Sequence, residues 1–149
     1  MKRLRIGNDV ICIGIGLLLI LLGAWIYYVF FPEVYFVKKI DEIIGKHYID
    51  AFHYKKNIIT VIIRNYLMDF LWSCSLTCFV SQIVGFGEKE RKQCAILLTV
   101  FVIVMESIQI LDGIPGTFDL LDIFVELCGV SVTLLMINKN KEGKKSEKN

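Results

Sequence analysis

The chain has 149 residues, 55% of them apolar and only 21% charged, with a mean hydropathy of +0.58, more than the surface of one water-soluble domain carries. Seventeen Lys and Arg against fifteen Asp and Glu leave a net charge of +2, which excludes the strongly basic balance of a nucleic-acid-binding domain. At this length several membrane spans leave no room for a separate soluble domain.

Residues 10–31 form a run of twenty-two without a charge, close to the ~20 that cross a ~30 Å hydrocarbon core as a helix. The basic tip Lys2, Arg3 and Arg5 would also suit a signal peptide, but there the apolar part is about 7–15 residues. Trp25, Tyr27 and Tyr28 follow Ala24, as in an aromatic belt at the far interface, so the run reads as an uncleaved first span. After Pro32, Phe36, Ile40, Ile43, Ile44 and His47 recur at helical spacing, with Lys38, Lys39, Asp41, Glu42 and Lys46 between them. This pattern predicts an amphipathic helix, either lying on the outer membrane surface or packed across the mouth of a bundle. The apolar stretch 57–63 extends the next span outward or dips back into the interface.

Residues 66–87 make a second span with Asp69 near its start, and 93–111 a third, interrupted only by Glu106. Residues 119–138 make a fourth, with Asp122 and Glu126 in its first two turns. The Lys- and Glu-rich tail 139–149 has no periodicity and is expected to lack structure. The expected fold is therefore an all-α integral membrane domain over 1–138, with four transmembrane helices and an amphipathic interfacial helix between the first and second.

Lys and Arg number three in the N-terminal tip, three in the link 88–92 and five in the tail, against none in the turn 112–118. Segment 32–64 holds six. An eleven-to-six bias places both termini in the cytoplasm, and an even number of spans puts them on one side.

Other features point to packing. Cys12, Cys74, Cys78, Cys94 and Cys128 are odd in number and scattered through apolar runs, which disfavours a disulfide framework. Cys74 and Cys78 lie one turn apart, but no span offers a His to complete a metal site, and His47 and His53 are too few. Gly14, Gly16 and Gly23 suit close helix approach. Phosphate-binding loops and hydrolase or zinc-protease motifs are missing. No metal or cofactor is expected.

The acids carry the functional signal. An ionisable side chain within a span faces another such group or a wet cavity, because exposure to lipid costs a few kcal/mol. Glu106 and Gln109 share a face of the third span, and Asp119, Asp122 and Glu126 share one on the fourth. At about 1.5 Å rise per residue, Asp69, Glu106 and Asp122 each fall roughly 4–8 Å below the outer interface. Thr117 or Asp119 also suits the N-cap of the last span. Arg64 stands at the same level as the obvious cationic partner, and five acids against one arginine cannot all stay ionised at close range.

Three segments, Arg64-Asn65-Tyr66-Leu67-Met68-Asp69-Phe70-Leu71-Trp72, Glu106-Ser107-Ile108-Gln109 and Gly116-Thr117-Phe118-Asp119-Leu120-Leu121-Asp122, together with Gly129, resemble the VanZ-like membrane proteins over about 64–130. Met68 stands where that family often has proline, and Glu126 where many members have asparagine. The resemblance implies a bacterial cell-envelope protein, with some relatives linked to resistance against glycopeptides such as teicoplanin, and no established reaction. It carries Arg64, Asp69, Glu106, Gln109, Asp119 and Asp122 over as site residues.

The expected function is binding of a membrane lipid or lipid-linked envelope component in an outward-facing acidic pocket that also includes Glu126. The rival is an intramembrane acid–base enzyme using Asp69 and Glu106 for proton transfer, with Ser73 and Ser107 the nearest hydroxyls. A third reading, cation or proton transport, requires the four helices to form a homo-oligomer.

Overall fold

The structure is a computed structural model that describes residues 3–30, 35–44, 62–85, 87–111 and 118–146, with side chains at 10–30, 35, 37–44, 62–63, 65–85, 87–111 and 118–138. Every regular element among the described residues is helical. These are α1 (Arg3–Phe30), α2 (Tyr35–Ile44), α3 (Met68–Val84), α4 (Glu88–Ile108) and α5 (Leu120–Ser146). A π-helical turn, Ile63–Leu67, leads directly into α3.

Three helical segments are long and apolar enough to cross a membrane: Val10–Phe30, Asn65–Val84 and Leu120–Asn138. The chain is accordingly a membrane protein by the length and composition of its helices. The expected third span is less clear-cut. Its helix, α4, has 21 residues, but Glu88, Lys89, Glu90, Arg91 and Lys92 fill the first turns and Glu106 approaches the other end, leaving only 93–105 uncharged. The surface agrees with a lipid surround: Leu18, Leu21, Ile83, Leu120 and Leu135 are all more than 60% exposed, large apolar groups that a soluble surface would seldom gather.

Helix α3 is the centre of the bundle, packing on α1, α4 and α5. Small polar side chains make this possible, since they admit close backbones and satisfy their hydroxyls on nearby carbonyls. On one face Ser75 donates to the Gly16 carbonyl at 2.9 Å and Cys12 lies against the Cys78 carbonyl at 3.7 Å, joining α3 to α1. On the next face Cys74 donates to the Gly129 carbonyl at 3.5 Å, joining α3 to α5. Farther along, Ser81 and Cys94 meet at 3.5 Å between α3 and α4, beside an apolar cluster of Cys94, Leu98 and Val130.

The glycines divide by position. Added Cβ atoms at Gly16 would sit 3.2 Å from Phe79 and 3.3 Å from Cys78, and at Gly129 2.9 Å from the Phe70 carbonyl, besides striking Ser73 Oγ. Gly14 has no described atom within 4 Å of such a Cβ, so its expected role in close approach is not seen among the described residues. Gly129, named in sequence only through the resemblance, lies directly against Phe70 and Ser73 of α3. Gly85, at φ +108°, ends α3 by donating its N–H to the Ser81 carbonyl at 2.9 Å, a conformation that glycine adopts without strain.

Two boundaries differ from the sequence expectation. The amphipathic helix is the short α2, buried through Val37 at 1% exposure, while Ile43 and Ile44 are 81% and 53% exposed. Tyr28 of α1 donates a hydrogen bond to the Asp41 carboxylate, so α2 is docked on the bundle. His47 lies outside the described residues. At the C-terminus the helical backbone of α5 continues into the expected tail, to Ser146.

Candidate functional site

Each acid owes its position to a local pattern. On α4, Cys94, Leu98, Val102 and Glu106 are the buried residues, one per turn along a single stripe. Glu106 is thus carried inward by the face that buries three apolar side chains before it, and is only 6% exposed. Just beyond, the helix tightens, with Gln109, Ile110 and Leu111 donating backbone N–H groups to carbonyls three residues back. That turn lets Gln109 Nε2 donate to Glu106 Oε1 at 2.8 Å. Glu106 Oε2 is buried and has no hydrogen-bond donor among the described residues.

Asp69 is in the first turn of α3 and shares a face with Ser73, the residue that packs on Gly129 of α5. The preceding π turn, which the sequence reading missed, adds an extra residue per turn and so re-aims the side chains around it; such turns recur at functional sites. It has no signature in hydrophobic periodicity. The chain passes Met68 in an ordinary helical conformation, φ −64° and ψ −47°.

On α5, Asp122 and Glu126 are half-buried one turn apart. Asp69 lies within electrostatic range of Asp122 and Glu106, and Glu126 within range of Asp69, Glu106 and Asp122. Four carboxylates from three helices therefore converge. Asp119 stands at the edge of this group, close to Asp122, and its Oδ1 accepts the Leu121 N–H at 2.9 Å. It serves as the N-cap of α5, one of the two residues expected there. Thr117 and the turn 112–117 lie outside the described residues, as does the side chain of Arg64, whose backbone belongs to the π turn.

Chemically, the cluster is an acceptor-rich patch in a bundle of low dielectric. No group of three or more His, Cys, Asp or Glu among the described residues is arranged to hold a metal ion. The hydroxyl nearest Asp69 on its face, Ser73, donates to the Phe70 carbonyl at 2.9 Å and is 1% exposed. The five cysteines are free thiols. No family model, curated protein or solved structure matches this chain.

Proposed function

We propose that this is a four-span protein of the bacterial cytoplasmic membrane, VanZ-like in character, whose acidic cluster binds the donor-bearing or cationic headgroup of an envelope component, a lipid or an acylated glycopeptide, without covalent chemistry. The observation that carries the reading is Glu106. One carboxylate oxygen is held by Gln109, the other is buried without a donor among the described residues, and three more acids from two other helices lie within electrostatic range of it. A buried acceptor left unsatisfied costs about 1–3 kcal/mol, and more when charged, so a ligand that brings N–H or O–H donors gains what the described residues do not supply.

In this reading α4 is the third of the four spans. Its 21 residues rise roughly 31 Å at 1.5 Å each, enough to cross with its charged first turns in one interface and Glu106 near the other. Both termini are then cytoplasmic, in line with the basic tip, link and tail. The acids lie toward the outer leaflet, and α2 lies along the outer interface, anchored by Val37 and Tyr28. The resemblance over 64–130 supports a part in glycopeptide resistance. A hydrolytic or transfer role has less support, because the Ser73 hydroxyl is already committed to a backbone carbonyl.

The test is to incubate the purified full-length protein with total bacterial membrane lipid and examine both fractions by mass spectrometry. Retention of an unaltered amphiphile with an amine or polyhydroxyl headgroup is expected. New lipid masses would favour the enzyme, and no retained species would refute binding.

A further inference from the structure

Consecutive residues of α3 face two different surroundings. Asp69 belongs to the acidic cluster, whereas Met68, Leu71 and Trp72 line a cavity of about 290 Å³ whose other walls are α1 and α2. Gly23 and Tyr27 contribute from α1, and Ile40 from α2. We propose that this cavity holds one acyl chain of a bilayer phospholipid, at a site separate from the acidic cluster and independent of its reading.

Three observations select that occupant. The walls are almost entirely carbon, and the Tyr28 hydroxyl at the margin is already committed to Asp41. A buried water needs two to four polar partners, which such walls do not supply. Next, two of the three walls belong to Val10–Phe30 and Asn65–Val84, helices apolar enough to cross a membrane, so the fluid that reaches the opening is hydrocarbon. Last, the space is built rather than left over. Among the described residues an added Cβ at Gly23 would meet only Met68 Cε, at 3.7 Å, while Val37 beside it is packed to 1% exposure, so α2 closes the third side through that residue. The volume matches on the order of ten water-sized or methylene-sized groups at ~30 Å³ each, a length of chain rather than a headgroup.

The experiment places the full-length protein in nanodiscs of phosphatidylcholine carrying a diazirine in one acyl chain, followed by irradiation and peptide mapping. Adducts should concentrate on the cavity-lining positions within 19–28 and 68–72, several-fold above those at Ile83 and Leu135, which are 85% and 64% exposed on outer surfaces. Gly23→Leu should remove most of the cavity adducts while leaving those at Ile83 and Leu135 unchanged. Ala24→Leu, a smaller intrusion at the cavity wall, should lower them in the same direction and keeps the test decisive where Gly23→Leu does not fold. Labelling equal at all four places, or cavity labelling unmoved in a folded variant, would overturn the proposal. So would a complete lack of cavity adducts, which would mean that a segment of this chain or a second copy fills the space. Headgroup retention by the acidic cluster should be unchanged in both variants, so failure of one reading leaves the other standing.

Discussion

Gly129→Ala and Gly14→Ala are the same substitution within transmembrane segments, and they should have opposite effects. Both gain the helix-propensity difference between Gly and Ala, up to ~1 kcal/mol. At Gly14 no described atom lies within 4 Å of the new methyl, so the gain meets no packing cost among the described residues. At Gly129 the methyl would fall on Ser73 Oγ and 2.9 Å from the Phe70 carbonyl oxygen, and a backbone atom cannot step aside as a side chain can. Overpacking of this kind costs about 1–3 kcal/mol. The propensity terms cancel in the comparison, so the two variants should differ by about 1–3 kcal/mol, with Gly129→Ala the less stable. Ser73→Ala removes the Oγ contact but not the carbonyl, so the double variant Ser73→Ala/Gly129→Ala should recover part of the loss. Thermal unfolding in detergent, read as paired differences, measures this. Equal stability of the two alanine variants would refute the packing of α3 against α5.

Other outcomes follow from single contacts. Asp119→Ala should cost about 0.5–2 kcal/mol through loss of the α5 N-cap, and Asp119→Asn should restore most of it, as seen in the same unfolding assay. Tyr28→Phe removes the hydrogen bond to Asp41 and should speed amide hydrogen exchange across Tyr35–Ile44 without changing exchange in α3. Reporter fusions after Asn149 and within 88–92 should be active in the cytoplasm, and fusions near Gly113 outside; a cytoplasmic Gly113 would overturn the proposed orientation and the outward site together. Asp69→Asn, Glu106→Gln and Asp122→Asn should reach normal membrane levels but lose protection against acylated glycopeptides in cells that depend on this protein. Full protection in all three would leave the acids as structural pairs.

Uncharged runs made α1, α3 and α5 legible, because length and apolarity alone decide whether a helix can cross a membrane. The acids were legible for the complementary reason that Asp69, Glu106, Asp122 and Glu126 interrupt apolar runs on three helices. The fine geometry was not. The π turn before Asp69 leaves no periodic trace, and the seating of α2 through Val37 rather than Ile43 and Ile44 depends on where α1 and α3 leave room. Gly14 and Gly129 look alike in sequence, yet among the described residues only the second faces a neighbour. The continuation of α5 to Ser146 was not legible because hydrophobic periodicity ends with the apolar run.

Whether Glu106 and its neighbouring acids hold a donor-bearing headgroup, as proposed, is tested most directly by comparing retention of amine-bearing phosphatidylethanolamine with anionic phosphatidylglycerol by the wild-type protein and by Glu106→Gln. The amide keeps the shape and the contact with Gln109 while removing the charge. The wild type should prefer the amine headgroup, and Glu106→Gln, with unchanged thermal stability, should lose the preference. An equal preference in the two proteins, or none in the wild type, would contradict the proposal.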